Sequence, residues 1–146
     1  MKSIYFLLMV LAFSSCSTDP KPIQYGVDAC DFCEMTIVNG TFAARAVSTK
    51  GKQFKYDAIE CMLNDLQQKD IEMAVKQVAN YNEPGEMLDV GKVIFIINDS
   101  INSPMGAHLA ALEKESHTTN IPDGLSWDKL WNLFLQKEHP GHTSEK

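Results

Sequence analysis

The sequence predicts an α+β fold in which small antiparallel β-sheets pack with helices. Three observations lead there. Phe42 to Ser48 and Gln53 to Tyr56 read as strands separated by the turn Thr49-Lys50-Gly51-Lys52, with Phe42, Ala44, Ala46 and Ser48 on one face. The period then changes, and Ile59, Met62, Leu63 and Leu66 fall at i, i+3, i+4 and i+7, the stripe of a helix facing a core. Strands followed by a helix recur in the second half, which reads as a duplicated strand-strand-helix unit.

The elements follow in order. Thr36 to Val38 reads as a strand entering a tight turn at Asn39-Gly40. Asp57 with Glu60 three places on is a capping-box signature, so the first helix is expected from Asp57 to about Lys69. Met73 to Tyr81 alternates as a strand, and Asn82 to Glu86, with Pro84-Gly85, is a turn. The apolar run Val93 to Ile97 suits a strand buried on both faces. Asn98 to Pro104 is a loop, and Ala107 to Glu115 is expected to be helical. Ser126 is a plausible N-cap for a last helix carrying Trp127, Leu130, Trp131 and Phe134 at helical spacing.

The bulk numbers narrow the function. The chain has 146 residues, 45% hydrophobic and 22% charged, with a net charge of −6, an ordinary globular composition. No Lys/Arg run appears, so no nucleic acid is expected as a partner. Residues 1–15 read as a signal peptide: Lys2 precedes an apolar run from Ile4 to Phe13, too short to remain as a membrane-spanning helix. Phe13-Ser14-Ser15-Cys16 resembles a bacterial lipobox, with Cys16 as the lipid-attachment site. Residues 16–24 are then a tether, residues 25–136 the functional domain and residues 137–146 a flexible tail. The expected location is the cell envelope, lipid-anchored to the membrane and facing the periplasm. Three further cysteines remain, Cys30, Cys33 and Cys61, an odd number for an oxidising compartment.

The richest stretch is Cys30-Asp31-Phe32-Cys33-Glu34-Met35-Thr36-Ile37. A redox Cys-x-x-Cys wants a helix directly after it, whereas here a β-type sequence follows. A c-type haem site would need His where Glu34 stands, and structural zinc would want a second Cys/His pair. Thiolate and thioether suit the soft ion copper(I). A Cys-x-Met spacing entering a strand puts alternate side chains on one face, so Cys33 and Met35 can both address one ion. Cys30, and Met105 in the turn Ser103-Pro104-Met105-Gly106, are further candidate ligands. Cys61 and Asp57 share a helix face that can look toward the metal loop, although Cys61 also suits a small packed thiol and Asp57 a helix cap. His108 could reach the same ion, while His117, His139 and His142 lie in polar or terminal segments.

At these residues the sequence resembles the NosL family of copper-binding lipoproteins. The matching features are the lipobox cysteine, Cys30 to Ile37, the Phe54 to Met62 segment FKYDAIECM, and Ser103-Pro104-Met105-Gly106 after an apolar strand. The resemblance implies a compact α+β fold related to a module of organomercury lyases, with Cys33 and Met35 as the copper pair and Met105 near the site. It also implies binding of copper(I) and its delivery to a receiving protein or assembly machinery, that of nitrous oxide reductase. The expected protein is a metallochaperone and not an enzyme. Two other readings stay open: an envelope thiol-disulfide oxidoreductase using Cys30 and Cys33, and a structural lipoprotein in which a Cys30–Cys33 bridge staples a loop.

Overall fold

The computed structural model describes residues 17–114 and 124–138. The expected signal peptide, the lipobox Cys16, His117 and the tail beyond residue 138 lie outside these residues.

Two small antiparallel sheets and two helices make up the described fold. The first sheet contains β1 (Ala44–Ser48), β2 (Gln53–Tyr56), β3 (Met73–Asn80) and β4 (Glu83–Asp89), in the order β2-β1-β3-β4. The second is a hairpin of β5 (Val93–Ile97) and β6 (Leu109–Glu113). Helix α1 covers Ile59–Gln68 and α2 covers Trp127–Glu138.

The topology decides where α1 goes. Strands β2 and β3 both pair antiparallel to β1, so they run parallel to one another. Parallel strands need a crossing connection, and α1 is that crossing. It lies against β1 and β2 and also meets β6 and α2. Covered on several sides, it buries Glu60, Cys61 and Asp65 as well as its apolar stripe of Ile59, Met62, Leu63 and Leu66. Tyr56 lies under it and donates a 2.7 Å hydrogen bond to Asp65 Oδ2. Lys69 pairs with the same carboxylate. Burial and that carboxylate push the Tyr56 hydroxyl well above the usual phenol range.

The hairpin is tied to the main sheet where Tyr81 N–H donates to Ala111 C=O at 2.9 Å. Phe95 and Leu125 form an antiparallel bridge, which delivers the chain into α2. Trp127 then packs on Phe95 and on Trp131, with ring centroids 5.9 and 5.8 Å apart.

Several sequence expectations change here. Ala107 to Glu115 is not a helix. Its centre is β6, registered against β5 from Ile97↔Leu109 to Val93↔Glu113. Leu109, Ala110, Ala111 and Leu112 are all buried, so the doubly covered strand is β6, while β5 alternates buried and half-buried residues and ends on the exposed Ile97. The strand-strand-helix order does occur twice, but as β1-β2-α1 and β5-β6-α2. Asp57 does not cap α1: the cap residue is Ala58, in extended backbone and without a side-chain cap. Thr36 to Val38 contributes only an isolated bridge, Ala29↔Thr36. The turn expected over residues 82–86 is confined to Tyr81-Asn82, and Glu83 onward is already β4. The stretch read as a tether is docked from Asp19 on. Gln53 hydrogen-bonds the Asp19 carbonyl and the Lys21 N–H, and Arg45 donates to the Lys21 carbonyl. Ile23 packs on the core.

Candidate metal centre

The loop before β1 builds one side of the centre. Residues 26–37 fold back on themselves through backbone hydrogen bonds from Gly26 to Ile37, Ile37 to Asp28 and Cys30 to Met35, each 2.8 to 2.9 Å. The tip is the turn Cys30 to Glu34, closed by Glu34 N–H on the Cys30 carbonyl at 3.0 Å. Glu34 has φ +62°, a left-handed conformation that costs a residue with a Cβ about 1–2 kcal/mol. That conformation reverses the chain immediately after Cys33. Cys33 therefore sits in a tight turn, and the expected alternation of Cys33 and Met35 along a strand does not apply.

The loop is pinned to the edge strand β2. Asp31 N–H donates to the Lys55 carbonyl at 2.8 Å, and Lys55 N–H donates to Asp31 Oδ2 at 2.7 Å. The Lys55 ammonium also pairs with Asp28 at 2.5 Å, which lowers the Asp28 carboxyl below its ordinary range. Directly after β2 the chain turns through Asp57-Ala58 into α1, whose first turn carries Cys61. The pinning thus sets Cys30 and Cys33 against the start of that helix.

The result is a cluster of three sulfurs. The Sγ atoms of Cys30, Cys33 and Cys61 all lie within 4.8 Å of one another. Cys30 and Cys61 are buried, Cys33 is partly exposed, and all three are free thiols. Two sulfurs on opposite sides of one ion at about 2.3 Å stand about 4.6 Å apart, and three around it about 4 Å apart. The spacing therefore suits one soft ion.

The electrostatics favour a cation. The Cys61 thiol hydrogen-bonds the Cys30 sulfur, and the backbone at Cys33, Asp57 and Phe32 adds further hydrogen bonds. Together they outweigh burial and hold the Cys30 thiol down to about 5. That same bond to Cys30, together with burial, pushes Cys61 up. Burial also raises Cys33. The cluster thus carries its negative charge on Cys30. Asp57 and Glu60 are buried close by. Burial raises the Asp57 carboxyl, and the charges of Cys30 and Glu60 raise it further. Among the described residues, Asp57 Oδ1 and Glu60 Oε2 find no hydrogen-bond partner.

Met35 is 54% exposed and Met105 44%. Met105 lies in a turn closed by Gly106 N–H on the Ser103 carbonyl at 3.0 Å. The Ser103 hydroxyl, in turn, donates to Glu60 Oε1 at 2.6 Å, fastening that turn to α1 beside Cys61. His108 also has a left-handed φ of +56°, and its Nδ1 lies 2.8 Å from the Ile101 carbonyl. Neither His108 nor Asp57 joins the sulfur group. The sequence marks Glu60 only as a capping partner. The Ser103–Glu60 link joins residues 43 positions apart, and no local pattern signals it.

No family model matches the sequence, and no curated protein matches it. A solved structure does: the crystal structure of the copper chaperone NosL from Shewanella denitrificans aligns with a TM-score of 0.62 at 12% identity. The alignment covers 77% of this chain and 96% of that one. This chain has a NosL-like fold. The likeness read from Cys30 to Ile37, Phe54 to Met62 and Ser103 to Gly106 is met at the level of the fold. Within it, the 26–37 loop, the first turn of α1 and the Ser103 turn form one connected region, which holds every cysteine among the described residues.

Proposed function

We propose that the protein is a metallochaperone that binds one copper(I) ion at Cys30, Cys33 and Cys61 and passes it to a receiving protein. The observation that carries this reading is the convergence of three sulfurs from two separate segments within 4.8 Å. Sulfur donors select soft ions, and copper(I) accepts two or three of them. The NosL-like fold supports the choice of copper, since the solved counterpart is a copper chaperone.

The division of burial suits transfer. Cys30 and Cys61 form a closed floor, and Cys33 is the thiol that reaches solvent. Met35 and Met105 are exposed thioethers at the ends of the loops that frame the centre. Neutral thioethers bind copper(I) without adding charge, so they serve as the weaker ligands that an incoming acceptor displaces. Delivery to the maturation of nitrous oxide reductase, attachment through Cys16 and a periplasmic position complete the reading. Among the described residues no helix is long and apolar enough to cross a membrane.

The oxidoreductase reading fares less well. A redox Cys-x-x-Cys needs its low-pKa thiol exposed to substrate, whereas here the thiolate is the buried Cys30. X-ray absorption at the copper edge tests the proposal. Reduced protein loaded with one equivalent of copper(I) should show a shell dominated by sulfur, altered in Cys33→Ser. A shell of nitrogen and oxygen alone would overturn it.

A further inference from the structure

The three thiols also carry a chemistry that needs no metal. We propose that Cys33 is a modification site for low-molecular-weight disulfides such as oxidised glutathione, and that Cys30 resolves the adduct into a Cys30–Cys33 bridge. Two observations carry this. Cys33 is the partly exposed member of the cluster, so a disulfide in solution meets it first. Cys30 lies behind it within 4.8 Å, in the same turn, with Glu34 N–H closing on its carbonyl.

The steps balance. Cys33 gives up its thiol proton to solvent and its sulfur attacks one sulfur of the small disulfide RSSR. A bond forms from Cys33 Sγ to that sulfur, the original S–S bond breaks, and RS⁻ leaves and takes up a proton. The Cys30 sulfur then attacks Cys33 Sγ, the mixed disulfide breaks, and a second RSH departs. Two cysteine thiols are oxidised and one RSSR is reduced to two RSH. Cys61 is buried behind the bridge and keeps its thiol. One disulfide and one spare thiol account for the odd cysteine count. One consequence rests on the copper reading: the bridged form retains one of three sulfur ligands and cannot hold the ion, so the same turn works as a redox gate on loading.

Mass spectrometry of the reduced, metal-free full chain treated anaerobically with oxidised glutathione tests this, with Cys16 followed in its own peptide. The expected product has lost two hydrogens, retains no glutathione, and maps to a Cys30–Cys33 link with Cys61 alkylatable after unfolding. Cys30→Ser should stop at a stable glutathione adduct on Cys33, and Cys61→Ser should still form the bridge. A persistent adduct on wild-type Cys33, a Cys30–Cys61 link, or no reaction would overturn the proposal. Copper(I) titration of the reduced and bridged forms separates the two readings. Uptake lost only on bridging supports the gate, and undiminished uptake by the bridged form overturns it. Failure of the reduced form to bind would sink the copper reading while the mapped bridge stood.

Discussion

The Ser103 hydroxyl donates to Glu60 Oε1 across 2.6 Å, and both side chains are buried. This one bond joins the loop that carries Met105 to the helical turn that carries Cys61. The other oxygen of Glu60 has no partner among the described residues, so the carboxylate depends on Ser103.

Ser103→Ala removes that donor and should cost about 1–3 kcal/mol, the penalty for leaving a buried acceptor unsatisfied. Glu60→Gln keeps an acceptor oxygen for Ser103, so it should cost less than Ser103→Ala. Urea unfolding of the three proteins checks both. Equal losses in the two variants would show that the link does not brace the turn.

Tyr56 and Asp65 make a second buried bond, but with a different balance. Asp65 retains Lys69 when the phenol is lost, so Tyr56→Phe should cost about 0.5–1.5 kcal/mol. Asp65→Ala leaves a fully buried hydroxyl unpaired and should cost about 1–3 kcal/mol. The order of the two unfolding midpoints is the test.

The thiol cluster gives the metal-free protein a pH-dependent stability. Cys30 is lowered from 9.0 to about 5, so the folded state binds its proton less tightly than the unfolded chain. Its contribution is therefore absent below about pH 5, grows as pH rises, and is complete above about pH 9. Cys33 and Cys61 are raised and act oppositely, destabilising the fold above about pH 9, where the unfolded chain ionises them. Stability measured in reductant should rise from pH 5 to 9 and then fall. Cys30→Ser should remove the rise, and an unchanged profile in that variant would contradict the assignment of the charge to Cys30.

The legible and illegible parts of the sequence divide on physical grounds. The stripe Ile59, Met62, Leu63, Leu66 marks α1, and the Thr49 to Lys52 turn separates β1 from β2, because both are written in local periodicity. Ala107 to Glu115 misleads because Ala, Leu and Glu favour helix in isolation, whereas pairing with β5 and burial of Leu109 to Leu112 override that preference. Asp57 with Glu60 looks like a cap, but tertiary contacts claim both: the Val38 backbone bonds Asp57, and Ser103 bonds Glu60. All three members of the sulfur group were named from the sequence. What it could not rank was Cys61, since only the pinning of the loop to Lys55 shows that a small helix thiol meets Cys30 and Cys33.

The most direct test of the central claim is anaerobic titration of copper(I) into the reduced protein against a competing chelator. The account predicts one equivalent taken up per chain, with affinity reduced at least about tenfold in each of Cys30→Ser, Cys33→Ser and Cys61→Ser and uptake abolished in the triple variant. Full-strength uptake by the triple variant, or no uptake by the reduced wild-type chain, would contradict it.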